Sequence, residues 1–254
     1  MKTLVKEKEI AVKAALTAGA LLRRHLGTLR SDEVDVKKRF DFVTVVDKKS
    51  EALIIETIRD VFPKHKFYAE ESARDEGGGF RWIIDPLDGT TNFIHSVPLF
   101  AVSIALEVDH DIVLGVIYDP MRKELFVAEK GKGATVNNQP IHVSAVTQFD
   151  VGLLGTGFPF RIKEQLDTYL KSFRELFFLS SGIRRVGAVA LDFAWLASGR
   201  YEGFWEMGLS PWDVAAGYLL IKEAGGMITD FGGGEVPVWT GTVVDPKTKT
   251  PNPS

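Results

Sequence analysis

The run Trp82-Ile83-Ile84-Asp85-Pro86-Leu87-Asp88-Gly89-Thr90-Thr91 reads as an apolar strand that delivers two carboxylates three residues apart, followed at once by a glycine and two hydroxyls. A buried strand has no structural use for two acids at its exit, because such neighbours repel each other unless a cation lies between them. A hard divalent cation, and a phosphate held by it, would use both acids and the Leu87 carbonyl oxygen. Gly89, Thr90 and Thr91 can then present amides and hydroxyls to phosphate as the chain turns toward a helix. Taken singly, Asp-Pro and Asp-Gly are ordinary turn pairs. The block as a whole carries the chemistry.

Other acids fall where they could join this pair. Glu70 and Glu71 follow the apolar segment Phe67 to Ala69. Glu70 is the better candidate for an inward ligand or for holding an attacking water, whereas Glu71 reads equally well as a surface acid. Asp213, in Ser210-Pro211-Trp212-Asp213, is either a charge placed on a helix dipole or a ligand. Asp47 either caps its helix or orders Thr90 or a water beside the metal. Glu206 sits in the aromatic run Phe204-Trp205-Glu206-Met207-Gly208. It is a loop acid or an acceptor for sugar or polyol hydroxyls. None of the five histidines is paired at metal-ligand spacing, and His95 is expected at the site entrance. Gly77-Gly78-Gly79 and Gly232-Gly233-Gly234 lack a strand–glycine loop–helix context, which excludes a dinucleotide or P-loop reading. The expected chemistry is metal-assisted hydrolysis of a small phosphomonoester.

The elements that must position these groups follow from periodicity. Val5 to Leu26 reads as an amphipathic helix, and Ala and Gly along it permit close packing. Ser31 to Asp41 is polar and lysine-rich, as in a solvated loop or irregular edge. A helix starting at Asp47 carries Leu53, Ile54, Ile58 and Val61 and stops at Pro63. Strands are expected at 67–69, 81–84, 100–108, 112–119 and 124–128, with turns at Asp109-His110-Asp111, Gly131-Lys132-Gly133 and Asn137-Asn138. The second half reads as strands at 151–155, 183–185, 201–205 and from Met227 to Thr229. Its helices fall at 162–177, at 188–197, and from Pro211 to the Gly225-Gly226 stop. No repeat and no linker interrupts the chain. Two halves, 1–145 with most metal ligands and 146–254 with Asp213 and substrate contacts, are expected to form one catalytic unit.

Composition narrows the field further. A chain of 254 residues, 45% hydrophobic and 26% charged, can bury a large core. A net charge of -3 gives no basic footprint, so nucleic acid is not expected as the main ligand. With no cysteine, disulfides, thiolate nucleophiles and cysteine metal sites are excluded together. The charged start and the lack of any apolar stretch near ~20 residues point to a cytoplasmic protein with no membrane partner.

Four segments together resemble the inositol monophosphatase family: Asp41 to Asp47, Ala69-Glu70-Glu71-Ser72, Trp82 to Phe93, and Glu206 to Asp213. They recur in family order, and the likeness runs from the first helix to about Thr229. The resemblance implies an α/β fold of αβαβα layers, a homodimer, and a requirement for Mg²⁺ (two or three per site, with Mn²⁺ as a substitute) with inhibition by lithium. It implies metal ligation by Glu70, Asp85, the Leu87 carbonyl, Asp88 and Asp213. Phosphate would be bound at Gly89 and Thr90. Substrate contacts would come from Asp88, Asp213, Glu206 and the Ala188 backbone, with Arg184 or Arg185 near the entrance. Asp47 matches the family's partner of Thr90, and Lys37 and Lys38 are the counterparts of a loop lysine near a weaker metal site. Glu70 and Thr90 would orient the attacking water, with Asp85, Asp88 and Asp213 holding phosphate through the cation for in-line displacement.

Myo-inositol 1-phosphate is the substrate that the Glu206 motif favours. Sister enzymes of the family act on fructose 1,6-bisphosphate, histidinol phosphate or adenosine 3′,5′-bisphosphate, and a non-enzymatic, RNA- or protein-binding homodimer is the alternative of another class. One departure stands out. Residues 245–254 are too rich in proline and lysine to form the closing helix usual in the family. This tail is expected to contribute little to stability.

Overall fold

The computed structural model describes residues 4–30, 33–38, 41–234 and 242–244. The first helix, α1 (Val5–His25), buries Ala11, Ala14, Ala15, Ala18, Gly19 and Leu22. These small residues bring it close to the sheet beneath: a Cβ added at Gly19 would lie 2.5 Å from the Tyr118 ring. The second helix, α2 (Val45–Arg59), is capped by Thr44, with Asp47 at its third position rather than at its start. Between them, of the two forms expected for this polar segment, a solvated loop or an irregular edge, the chain takes the second: β1 (Val34–Lys38) and β2 (Asp41–Thr44) pair antiparallel with a register shift between Val36 and Lys38. Lysine content suggested solvation, but edge strands accommodate lysine readily.

Seven strands build the large sheet, in order β3 (Lys66–Ala69), β4 (Phe80–Asp88), β5 (Ala101–Val108), β6 (Asp111–Asp119), β7 (Glu124–Glu129), β8 (Ala134–Val136) and β9 (Gln139–Ile141). Only β3 and β4 run parallel, and the rest form an antiparallel meander. Tight turns close two hairpins, with Asp109 and His110 at φ 50° and 72° and Asn137 and Asn138 at φ 48° and 65°. Such left-handed pairs match the strand twist. A five-residue helix, α3 (Thr90–Ile94), follows β4.

The remaining strands form a four-stranded sheet in the order β11 (Gly182–Arg184), β10 (Leu153–Thr156), β12 (Gly203–Met207) and β13 (Thr242–Val244). The helices here are α4 (Leu166–Leu179), α5 (Val189–Ala197) and α6 (Pro211–Glu223). Met227 to Thr229, expected as a strand, forms no continuous strand.

Alternation along the strands stacks five layers. Trp82, Ile84, Val102, Ile104 and Leu106 face α1 and α2, while Ile83, Ala101 and Ala105 face α5 and α6. Phe204 of β12 joins the α5 and α6 core, and Trp205 and Met207 pack against Tyr169 and Phe173 of α4. The order is helix, large sheet, helix, small sheet, helix. This is the αβαβα arrangement expected. No helix among the described residues is long and apolar enough to cross a membrane.

Candidate active site

A bulge in β4 builds the centre of the site. Residues i and i+3 of a regular strand point to opposite faces. Here Asp85 pairs with Ser103 and Asp88 with Ala101, so β4 spends three residues where β5 spends two. The extra residue restores both acids to the α5 and α6 face. Pro86 sits inside the bulge, where its missing N–H costs no ladder bond. Its carbonyl accepts the Ser50 hydroxyl at 2.8 Å, tying the bulge to α2. The Leu87 N–H donates to Asp85 Oδ1 at 3.0 Å. Asp88 is more committed: the Val189 and Ala190 N–H groups at the start of α5 donate to its two oxygens at 3.2 and 2.7 Å. It is therefore a helix cap for an element 101 residues away as well as a candidate ligand. Glu70 enters from the end of β3, its N–H donating to the Ile84 carbonyl at 3.1 Å.

Asp47 fulfils both roles that its spacing allowed. Its Oδ2 accepts the Thr44 N–H at 2.8 Å, capping α2, while its Oδ1 accepts the Thr90 hydroxyl at 3.0 Å. The Leu87 carbonyl oxygen is also 3.0 Å from Thr90 Oγ1. Gly89 turns the chain at φ +92°, and a Cβ there would meet the Leu99 oxygen at 2.9 Å and the Ala188 methyl at 3.1 Å. Ala188, the residue preceding α5, thus stands against the phosphate-loop candidate. The Asn92 amide holds the two segments together, with Nδ2 at 2.7 Å from the Leu99 oxygen and 3.0 Å from the Val186 oxygen.

Asp213 is buried at the third position of α6, where it accepts the Ser210 N–H at 2.7 Å in a capping box. Its Oδ2 also accepts the Arg161 guanidinium. Nothing in the sequence singled out Arg161, which approaches from 52 residues away. Glu206 shares the Phe204 face of β12 and is half-buried. Gly157 makes room for it, since a Cβ there would fall 1.9 Å from its carboxyl carbon. Of the two arginines proposed near the entrance, Arg185 acts on Glu206. Arg184 ends the edge strand β11, where its guanidinium turns back to the Ile183 carbonyl. His95 is exposed at the end of α3. The side chains of Lys37 and Lys38, and residues 245–254, lie outside the described residues. Sequence reading also missed Asp192, a buried acid on α5. Its one signal was being the only charge in the helix Val189–Ala197.

The electrostatics describe acids crowded beyond what water would tolerate. Burial, then the charges of Glu70, Asp88 and Asp213, push Asp85 well above the usual carboxylate range. Burial and Asp213 raise Asp88 to about 7, against opposing hydrogen bonds from α5. Burial and Asp213 raise Glu206 to about 8, with Arg185 and Arg161 pulling the other way. Such a set, all oxygen donors and short of positive charge, fits a hard divalent cation. Among the described residues no three acidic or histidine side chains stand as a finished cage, so a cation would have to draw these acids inward.

A stability test follows from the signs. Asp88 titrates near 7 in the fold against 3.8 ordinarily, and Glu206 near 8 against 4.5, so the folded protein binds protons that the unfolded chain releases. That contribution is complete below the ordinary values and is lost as pH rises through the raised ones. With chelator present, the melting temperature should fall from about pH 5 to about pH 8.5, and a saturating divalent cation should flatten the slope. A chelated protein that gains stability over this range would refute the crowding.

Comparison with known proteins agrees with this architecture. The model of the inositol monophosphatase family matches residues 4–252. "Nus factor SuhB" of Escherichia coli K12 is 47% identical over 237 residues, covering 92% of this chain and 89% of that protein. "Inositol-1-monophosphatase" of Mesorhizobium japonicum is 43% identical with the same coverage. The crystal structure of the extragenic suppressor protein suhB from Bartonella henselae superposes with a TM-score of 0.90 at 42% identity, covering 94% of this chain and 93% of that one. With its five layers and its match along nearly the whole sequence, the chain belongs to the inositol monophosphatase family.

Proposed function

We propose that this protein is a Mg²⁺-dependent phosphatase of small phosphomonoesters, with myo-inositol 1-phosphate as the leading substrate. The observation that carries the reading is the bulge that turns Asp85 and Asp88 to one face, within electrostatic reach of Glu70 and Asp213. Glu70, Asp85, the Leu87 carbonyl, Asp88 and Asp213 would hold the metal. When bound, Mg²⁺ supplies charge for the phosphoryl oxygens and the leaving alkoxide and makes water more acidic. Glu70 would orient the attacking water and take up its proton, while the Thr90 hydroxyl, held by its donation to Asp47, would accept a hydrogen bond from that water. The Gly89 and Thr90 amides would donate to the phosphate. Glu206 and the Ala188 backbone receive the polyol, with Arg185 at the rim. Mn²⁺ is expected to substitute for Mg²⁺ and lithium to inhibit. The relative named inositol-1-monophosphatase supports this substrate.

A phosphate-release assay across inositol 1-phosphate, fructose 1,6-bisphosphate, histidinol phosphate and adenosine 3′,5′-bisphosphate, with Mg²⁺ supplied, tests the reading. Inactivity on all four would end it. The role of Glu206 has its own test. Unpairing a buried polar partner costs about 1–3 kcal/mol, so Glu206→Ala should lower kcat/KM for inositol 1-phosphate roughly 10- to 100-fold. An aryl phosphate without ring hydroxyls should be largely spared, and equal losses on both would assign Glu206 to the metal site or the fold.

A second reading has support from the relative named a Nus factor and from the apolar outer side of α4. Leu166, Leu170, Phe177, Phe178 and Leu179 are all exposed there. Such a surface suits protein association, including homodimerisation, alongside or in place of catalysis. Light scattering gives the oligomeric state. A monomer at assay concentration would count against the dimer.

A further inference from the structure

We propose that Arg161 is a resident counter-cation of the carboxylate cluster, one that a divalent cation must displace from Asp213 in order to bind. The proposal rests on the metal-site reading above and adds a determinant of its affinity.

Arg161 makes an ion pair and a charge-assisted hydrogen bond with Asp213 Oδ2, the oxygen that also accepts the Ser210 N–H. Its charge reaches further than that one partner. It acts on Glu70 and Glu206 and favours the ionised form of Asp88. The same guanidinium is therefore felt by acids from four different segments of the chain: the end of β3, the β4 bulge, β12 and the start of α6. A divalent cation approaching this cluster would seek the same carboxylate oxygens and carry twice the charge.

The position of Arg161 also lets it leave. Its side chain is 46% exposed whereas that of Asp213 is 5% exposed, so the guanidinium can move toward water while the acid stays fixed in its cap. The segment between β10 and α4 has its own anchors. The Arg185 guanidinium lies 5.4 Å from the Phe158 and Phe160 ring centroids, and the Ile162 N–H donates to the Pro159 carbonyl at 3.2 Å. Withdrawal of one side chain need not unfold that segment. In the metal-free protein Arg161 relieves part of the repulsion among the acids, and this relief opposes metal entry.

Calorimetric titration of Mg²⁺ into the metal-free full chain, wild type and Arg161→Gln, separates the possibilities. Arg161→Gln should bind Mg²⁺ about tenfold more tightly, equivalent to ~1.4 kcal/mol. Its metal-free form should melt at a lower temperature than wild type, and saturating Mg²⁺ should close most of that gap. Arg161→Lys keeps the charge but loses the planar fork, so its affinity should lie between the two, and it serves if the glutamine variant fails to fold. If wild type binds Mg²⁺ and neither variant binds it more tightly, the counter-cation role is overturned and the metal site stands. If wild type binds no Mg²⁺, the metal-site reading itself falls and takes this inference with it.

Discussion

Asp85→Asn should reduce kcat/KM with Mg²⁺ by about 10²-fold or more while leaving the metal-free protein at least as stable as wild type. The two effects have one cause. Asp85 is buried with Glu70, Asp88 and Asp213 around it, and its negative charge is disfavoured by burial and by all three. Asparagine keeps an oxygen to accept the Leu87 N–H, the hydrogen bond that Asp85 makes at 3.0 Å. It gives up only the charge. Losing that charge relieves the fold and removes an anionic donor from the proposed metal site. Phosphate release with Mg²⁺ and melting temperature in chelator are the two measurements. Near-normal turnover would remove Asp85 from the metal site, and a large drop in melting temperature would make its role structural. Asp88→Asn is a less clean probe, because both Asp88 oxygens accept N–H groups of α5 and an amide nitrogen cannot replace one of them.

Thr90→Ala should lose about 10²-fold in kcat with a small change in KM, and Thr90→Ser should recover most of it. The Thr90 hydroxyl stands 3.0 Å from both Asp47 Oδ1 and the Leu87 oxygen, with one proton to give. Its free lone pair is what remains to orient a water molecule. Serine retains this geometry and alanine removes it. Asp47 keeps its bonds from Thr44 in either variant, so α2 should remain capped and the melting temperature should change little. If serine fails to restore turnover, the methyl packing of Thr90 matters and the hydroxyl does not.

The parts legible in the sequence were those with local causes. Helix α1 was visible because Ile10, Ala14, Leu21 and Leu22 fall at roughly helical spacing, and α6 because Pro211 begins it and glycines follow it. The meander was visible because β-branched runs alternate with turn residues such as Asn137 and Asn138, which adopt the left-handed conformation. Asp85, Asp88 and Thr90 stood out because no short-range rule explains two acids and two hydroxyls leaving an apolar strand.

What the tertiary structure alone decided were pairings between distant segments. Whether Asp85 and Asp88 share a face depends on their register against Ser103 and Ala101, and period-two alternation by itself predicts opposite faces. The assignment of Asp88 to the start of α5, and of Arg161 to Asp213, joins residues 101 and 52 positions apart. The sequence marked neither partner. Nothing in the sequence marks Gly157, yet a Cβ there would fall 1.9 Å from the Glu206 carboxyl carbon. Local propensity acts over a few residues and is written in their order. Burial and repulsion act through space, so the field around these acids exists only once the layers have closed on them.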